Sequence, residues 1–203
     1  MTAWAVVVPV KELAVAKTRL DVPGREALAL AMAADVVRAA RACEAVAGVV
    51  VVTNDLRAAA ALEPLGARVV ADVSDAGLNP ALRDGARFAR SLWPRHGVAA
   101  LASDVPCVTP SALAGALGEA AAYAVAVHAD ARGDGTTLLT ASFGHELEPR
   151  YGPHSRHAHV AAGAHALAVR PELARDVDTP DDLAAAVALG VGPATRAALD
   201  SAR

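Results

Sequence analysis

The chain has 203 residues, of which 54% are hydrophobic, 20% charged and 3% aromatic, with a formal net charge of -3. That length suits one domain over 1–203 with a sizeable core. The composition excludes a disordered chain, an aromatic platform for single-stranded nucleic acid and a basic footprint for a duplex.

The first element is a strand at 5–10, an apolar run that ends at Lys11. A helix follows over 23–42, with Pro23 in its first turn and Leu28, Met32, Val36 and Val37 at helical spacing. Residues 48–53, GVVVVT, read as a strand buried on both faces. A helix at 55–65 and a strand at 67–71 come next. They are followed by a helix at 79–93, a strand at 97–103, a helix at 110–122 and an alternating strand at 123–128. This rhythm predicts an α/β layer built on a mainly parallel sheet. After Asp130 the rhythm breaks. Gly133 and Gly135 lead through Thr136 and Thr137 into a short strand at 138–141. A polar stretch over 144–159 follows, then a helix at 155–163, a strand at 166–169 and a helix at 179–189.

Cys43 and Cys107 are too few for a disulfide framework or a zinc site and read as packing residues. The opening apolar run is short for a secretory leader and lacks a basic start, and no apolar stretch approaches a membrane span. A cytoplasmic protein without membrane or nucleic-acid partners is expected.

Parallel sheets bind ligands outside the carboxyl ends of their strands. The polar residues there are Lys11 and Lys17 after the first strand, Thr53, Asn54 and Asp55 after the second, and Asp104 after the fourth. They are expected to converge on one crevice. Lys11, Lys17 and Arg19 lie within one loop, and clustered cations suit a polyphosphate. No Walker A or GxGxxG sequence competes with that reading. Asp176 and Asp178 precede a helix capped by Thr179, whose first turn holds Asp181 and Asp182. They are read as alternating in an extended stretch, with one of them facing the crevice. Carboxylates from two segments meeting beside phosphates suit Mg²⁺. The glycines and hydroxyls of residues 133–137 and 151–155 suit an anion, with Ser155 expected to cap the next helix. His154, His157, His159 and His165 lack the spacing of a zinc site.

Six segments in one order carry a resemblance: VPVKELAVAKTRL, GLNPAL, SDVP, GDGTTLLTA, YGPHSRHAHVAAGA and RDVDTPDDL. Together they resemble the phosphoenolpyruvate or 2-phospho-L-lactate guanylyltransferase family of coenzyme F420 biosynthesis, over nearly the whole chain. The resemblance implies a three-layer nucleotidyltransferase fold, like that of the molybdenum-cofactor guanylyltransferases, of GT-A-like architecture with a mostly parallel sheet flanked by helices. It implies transfer of GMP from GTP to phosphoenolpyruvate, with pyrophosphate released and Mg²⁺ as cofactor. The product would pass to the next transferase of the F420 pathway. The alternative acids are 2-phospho-L-lactate and 3-phosphoglycerate, and the alternative enzymes are other nucleotidyltransferases of this fold, which begin with a Gly-Gly-rich loop that VPVKEL replaces.

Carried over residue by residue, Lys17 matches the catalytic triphosphate contact, with Lys11 and Arg19 beside it. Asn79 falls near the nucleoside. Asp104, with Asp176 or Asp178, matches the metal carboxylates, and Asp104 is also catalytic. Thr137, Gly152 and Ser155 match the phosphoenolpyruvate pocket. The family motif reads FGPGS where this chain has YGPHS. A positive φ at that glycine would strain His154; without one, His154 is placed to donate to the acid substrate.

Overall fold

The computed structural model describes residues 3–201 apart from 16, 18, 19, 21, 23, 74 and 75. Arg19 and Pro23, both named above, lie outside the described residues. Seven strands form one sheet: β1 (Trp4–Pro9), β2 (Val46–Val52), β3 (Arg68–Val70), β4 (Gly97–Leu101), β5 (Val125–Ala129), β6 (Thr136–Ala141) and β7 (His165–Ala166). Their spatial order is β3-β2-β1-β4-β6-β5-β7. β1 pairs in parallel with β2 and β4, β2 with β3, and β5 with β7. β6 runs antiparallel to both β4 and β5. The sheet is therefore mixed but mainly parallel. The exception follows from chain length: β5 and β6 are joined only by residues 130–135, and a parallel partner would need a much longer crossover.

The strands are apolar on both faces because both faces are covered. Trp4, Val6 and Val8 of β1 pack into one core with Val49 and Val51 of β2. Ala5 and Val7 pack into the opposite core with Val50 and Val52. Helices α1 (Arg25–Ala42), α2 (Leu56–Leu62) and α4 (Pro110–Ala120) cover the first face. Helix α3 (Leu78–Leu92) covers the second through Ala81, Leu82, Ala86 and Ala89. A side chain at Gly85 would come within 2.6 Å of Val7 and Val52, so glycine sets how closely α3 lies on the sheet. Short helices α5 (Ser155–Ala161) and α6 (Pro171–Ala174) follow, then α7 (Pro180–Leu189) and α8 (Pro193–Ser201). Leu28 and Met32 of α1 form a third cluster with Leu183 and Ala186 of α7.

Two of these helices, α6 and α8, have no counterpart among the elements expected from sequence. α8 is anchored by a distant residue: the buried Asp35 carboxylate of α1 accepts from the Ala194 and Thr195 amides at 2.9 and 2.8 Å. The strand expected at 166–169 is only His165–Ala166. The strand expected from Tyr123 starts at Val125, and Tyr123 instead stacks on His165 with ring centroids 3.6 Å apart. No helix among the described residues is long and apolar enough to cross a membrane. Both cysteines are buried and free. Burial pushes the Cys107 thiol up to about 11, which keeps it protonated and inert.

Candidate active site

The sheet reverses its winding between β1 and β4, and a crevice of about 610 Å³ opens beside the carboxyl ends of both strands. Because β6 runs the other way, its amino end lies at this same edge. Thr136 and Thr137 therefore line the crevice together with Lys11, Lys17, Asp104 and Gly152.

Asp104 stands in the turn after β4. Its backbone carbonyl accepts the Val177 amide at 3.0 Å, which ties the Asp104 turn to the segment holding Asp176 and Asp178. Both of those aspartates line the crevice, while Val177 between them is fully buried. The expectation that only one would face it is corrected here: residues two apart in an extended chain share a side, and the residue between them takes the other. Lys17 Nζ donates to both Asp104 and Asp178, at 2.7 Å from the Asp178 oxygen. Burial alone would lower the Lys17 ammonium; the two carboxylates outweigh it and hold it above its ordinary value. Among the described residues Asp176 has no ion-pair partner and lies among like charges. Burial, with Asp104, Asp130 and Asp178 nearby, pushes it up to about 7. Among the described residues no three His, Cys, Asp or Glu converge as metal ligands; the two carboxylates converge on Lys17 instead.

The opposite wall is built on two buried histidines. His159 Nε2 accepts the Arg150 amide at 2.8 Å, so its proton lies on Nδ1 and is donated to Thr136 Oγ1 at 3.0 Å. Ser155 Oγ donates to the same oxygen at 3.2 Å. Having accepted twice, the Thr136 hydroxyl keeps its own proton to donate into the crevice. His128 Nε2 likewise accepts the Arg170 amide at 2.9 Å, which leaves Nδ1 to donate toward Ala129 O and Thr137 Oγ1. The Thr137 hydroxyl then donates to Ala129 O at 3.3 Å and has no proton left for a ligand. Burial lowers both histidines, His159 to about 4, so both stay neutral.

Several expected residues occupy different places. Ser155 is the first residue of α5, not its cap; it is buried and lies behind Thr136 rather than on the crevice surface. The cap is His154, in the left-handed region at φ 57, which is the strained outcome anticipated for the YGPHS motif. Its Nδ1 lies 2.7 Å from Asp134 Oδ1, which anchors the exposed ring. Asn79 is not on the crevice surface. Its side-chain amide clasps the Tyr151 backbone, donating to the carbonyl at 3.0 Å and accepting from the amide at 2.8 Å. Asn54 and Asp55 do not reach the crevice either. Asn54 exchanges two hydrogen bonds with the Asp72 backbone. Asp55 caps α2 and accepts the Leu13 amide at 2.9 Å, steadying the loop that carries Lys11 and Lys17.

Sequence reasoning missed Asp130 and Arg132 as crevice residues, and placed Thr136 in the anion loop without separating its role from that of Thr137. It also missed the support from His128. Thr136 was legible as half of the Thr-Thr pair; Arg132 reaches the crevice from an exposed turn and pairs with Asp182 at 3.1 Å, which no spacing reveals.

The model of the family described as "Guanylyl transferase CofC like" matches residues 4–203. A phosphoenolpyruvate guanylyltransferase of Thermomonospora curvata is 54% identical over 199 residues, covering 96% of this chain and 87% of the relative. One from Streptomyces scabiei is 50% identical, covering 96% of this chain and 95% of the relative. Among solved structures, a candidate nucleotide-diphospho-sugar transferase of Desulfovibrio desulfuricans G20 superposes with a TM-score of 0.71 at 18% identity, covering 99% of this chain and 95% of its own. A Mycobacterium tuberculosis protein in complex with manganese gives 0.57 at 22% identity, covering 93% and 99%. These structures share the fold. With a family model spanning nearly its full length and relatives about half identical throughout, the chain belongs to the guanylyl transferase CofC like family of nucleotidyltransferases.

Proposed function

We propose that this enzyme transfers GMP from GTP to phosphoenolpyruvate, in the biosynthesis of coenzyme F420 in the cytoplasm. The observation that carries the reading is the pairing of two unlike walls across one crevice. On one side two carboxylates share a cation; on the other a hydroxyl donor and a glycine turn are set for an anion. The curated relatives named for this activity support the choice of acid.

A phosphate oxygen of the acid attacks the α-phosphorus of GTP. The new P–O bond forms as the bond to the β-phosphate oxygen breaks, and pyrophosphate leaves in line. The nucleophile is already ionised, so no strong general base is needed. The work of the protein is to bring two anions together and to hold the charge that develops on the leaving group. Lys11 and Lys17 reach the crevice from the loop after β1 and suit the triphosphate. Thr136 and Gly152 suit the acid, Thr136 through its free hydroxyl proton, while Thr137, whose proton is spent on Ala129 O, shapes the wall beside it. Ser155 acts behind Thr136 as a positioning residue, and Asn79 positions the Tyr151 backbone in the same way.

A divalent cation fits the carboxylate wall. Asp104 and Asp178 already accept one cation between them, and their hard oxygen donors suit Mg²⁺, with Asp176 adjacent. When bound, it supplies charge neutralisation for the phosphates. The labile product expected of this chemistry would be handed to the transferase that follows.

Asp104→Asn tests the reading. It keeps the fold, measured by circular dichroism, and loses at least about a hundredfold in kcat. Near-normal turnover would remove Asp104 from the chemistry.

A further inference from the structure

Lys17 carries a feature that contact with a triphosphate does not require. Its backbone sits in the left-handed region at φ 55, which a long side chain rarely adopts. Its side chain is only 11% exposed, and its Nζ is wedged between Asp104 and Asp178. The double ion pair offsets the backbone cost. The two carboxylates suited to a metal are therefore already satisfied by a cation of the chain itself. An ammonium and a divalent ion cannot both occupy the space between two oxygens that one nitrogen bridges. A metal must displace Lys17, and Lys17, once displaced, needs an anion to replace the two it has lost.

We propose that Lys17 is a displaceable internal counter-ion: it closes Asp104 and Asp178 to free divalent ions and yields them only when a triphosphate arrives to take its ammonium. This rests on Asp104 and Asp178 being the cation-holding pair of the reading above. Metal and nucleotide then bind cooperatively, each weakly alone, because each removes the obstacle to the other. The strained backbone of Lys17 favours release once the ion pairs are exchanged.

The test uses Mn²⁺ alone, with free ion counted by electron paramagnetic resonance, and needs no turnover. The wild-type protein binds free Mn²⁺ only in the millimolar range. Lys17→Met, with its fold checked by circular dichroism, binds it about tenfold more tightly or better. Adding Asp178→Asn to Lys17→Met abolishes the gain, and Lys17→Arg keeps the weak wild-type affinity. Micromolar binding by the wild type overturns the proposal without any variant. So does Mn²⁺ affinity in Lys17→Met that is equal to or below that of the wild type, a gain that survives Asp178→Asn, or tight binding by Lys17→Arg. No arm involves a phospho-acid or GTP, so a wrong choice of substrate leaves these results standing, and failure here leaves the transfer reaction intact.

Discussion

Thr136 and Thr137 are neighbours with the same side chain, yet their hydroxyl protons have different fates. The Thr137 proton is spent on Ala129 O, while Thr136 accepts from His159 and Ser155 and keeps its own. Thr136→Val is therefore expected to raise KM for the acid by about tenfold, the worth of one hydrogen bond to a charged group, with KM for GTP little changed. Thr137→Val is expected to act mainly on stability, by about 1 kcal/mol. Initial-rate kinetics with each substrate varied in turn, together with urea unfolding, separate the two. Equal KM effects would contradict the assignment of donors. His154 invites a similar comparison. Its left-handed backbone favours glycine, while its ring gains the bond to Asp134. His154→Ala loses the bond and keeps the strain, so it should be less stable than His154→Gly, which relieves the strain. Thermal unfolding that ranks alanine above glycine would contradict this. At this scale, residues in the loops after strands, such as Lys11, Lys17 and Asp104, are legible from sequence because the carboxyl ends of parallel strands lie at one edge of the sheet. The role of Thr136 was not, because it depends on which tautomer a histidine 23 residues away adopts.

Asn79 and His159 act between elements. Asn79, in the first turn of α3, holds the Tyr151 backbone that leads into the Gly152 turn. Asn79→Ala leaves both groups of Tyr151 without that partner. A loss of about 1–3 kcal/mol in unfolding free energy is expected, with a rise in KM for the acid and little change for GTP. A KM rise confined to GTP would instead place Asn79 at the nucleoside. His159 couples α5 to β6 and to the Arg150 backbone, and it titrates near 4 in the folded chain against 6.5 for a free imidazole. Between these values the unfolded chain binds a proton that the folded chain refuses, so stability falls as pH drops from 6.5 toward 4. This residue contributes up to about 3 kcal/mol of that loss. Urea unfolding across that range should show a shallower pH slope in His159→Gln; an unchanged slope would contradict a buried neutral imidazole. The alternation of strand and helix up to β5 is legible because short β-branched runs such as residues 49–52 alternate with longer Ala- and Leu-rich segments, α3 with the clearest apolar stripe. α8 is not, because what anchors it is Asp35, 159 residues earlier.

Over the whole molecule, the antiparallel β6 is what completes the site. A sheet running one way throughout would bring only strand ends to the crevice edge. Reversing one strand brings a strand beginning, with its Thr-Thr pair and the Gly133 turn before it, opposite the carboxylates. The net charge of -3 is compatible with two anionic substrates because the lysines face the crevice and the shared carboxylates can hold a cation. The order of segments along the chain, legible in the sequence, maps onto this edge from both directions. The winding that gathers them is a three-dimensional property that no single motif carries. The most direct measurement is pyrophosphate release from GTP mixed in turn with phosphoenolpyruvate, 2-phospho-L-lactate and 3-phosphoglycerate, in the presence of Mg²⁺. Release is expected to depend on the acid, to be greatest with phosphoenolpyruvate, and to collapse in Asp104→Asn. No release with any of the three acids, or release that proceeds equally without an acid, would contradict the proposed transfer.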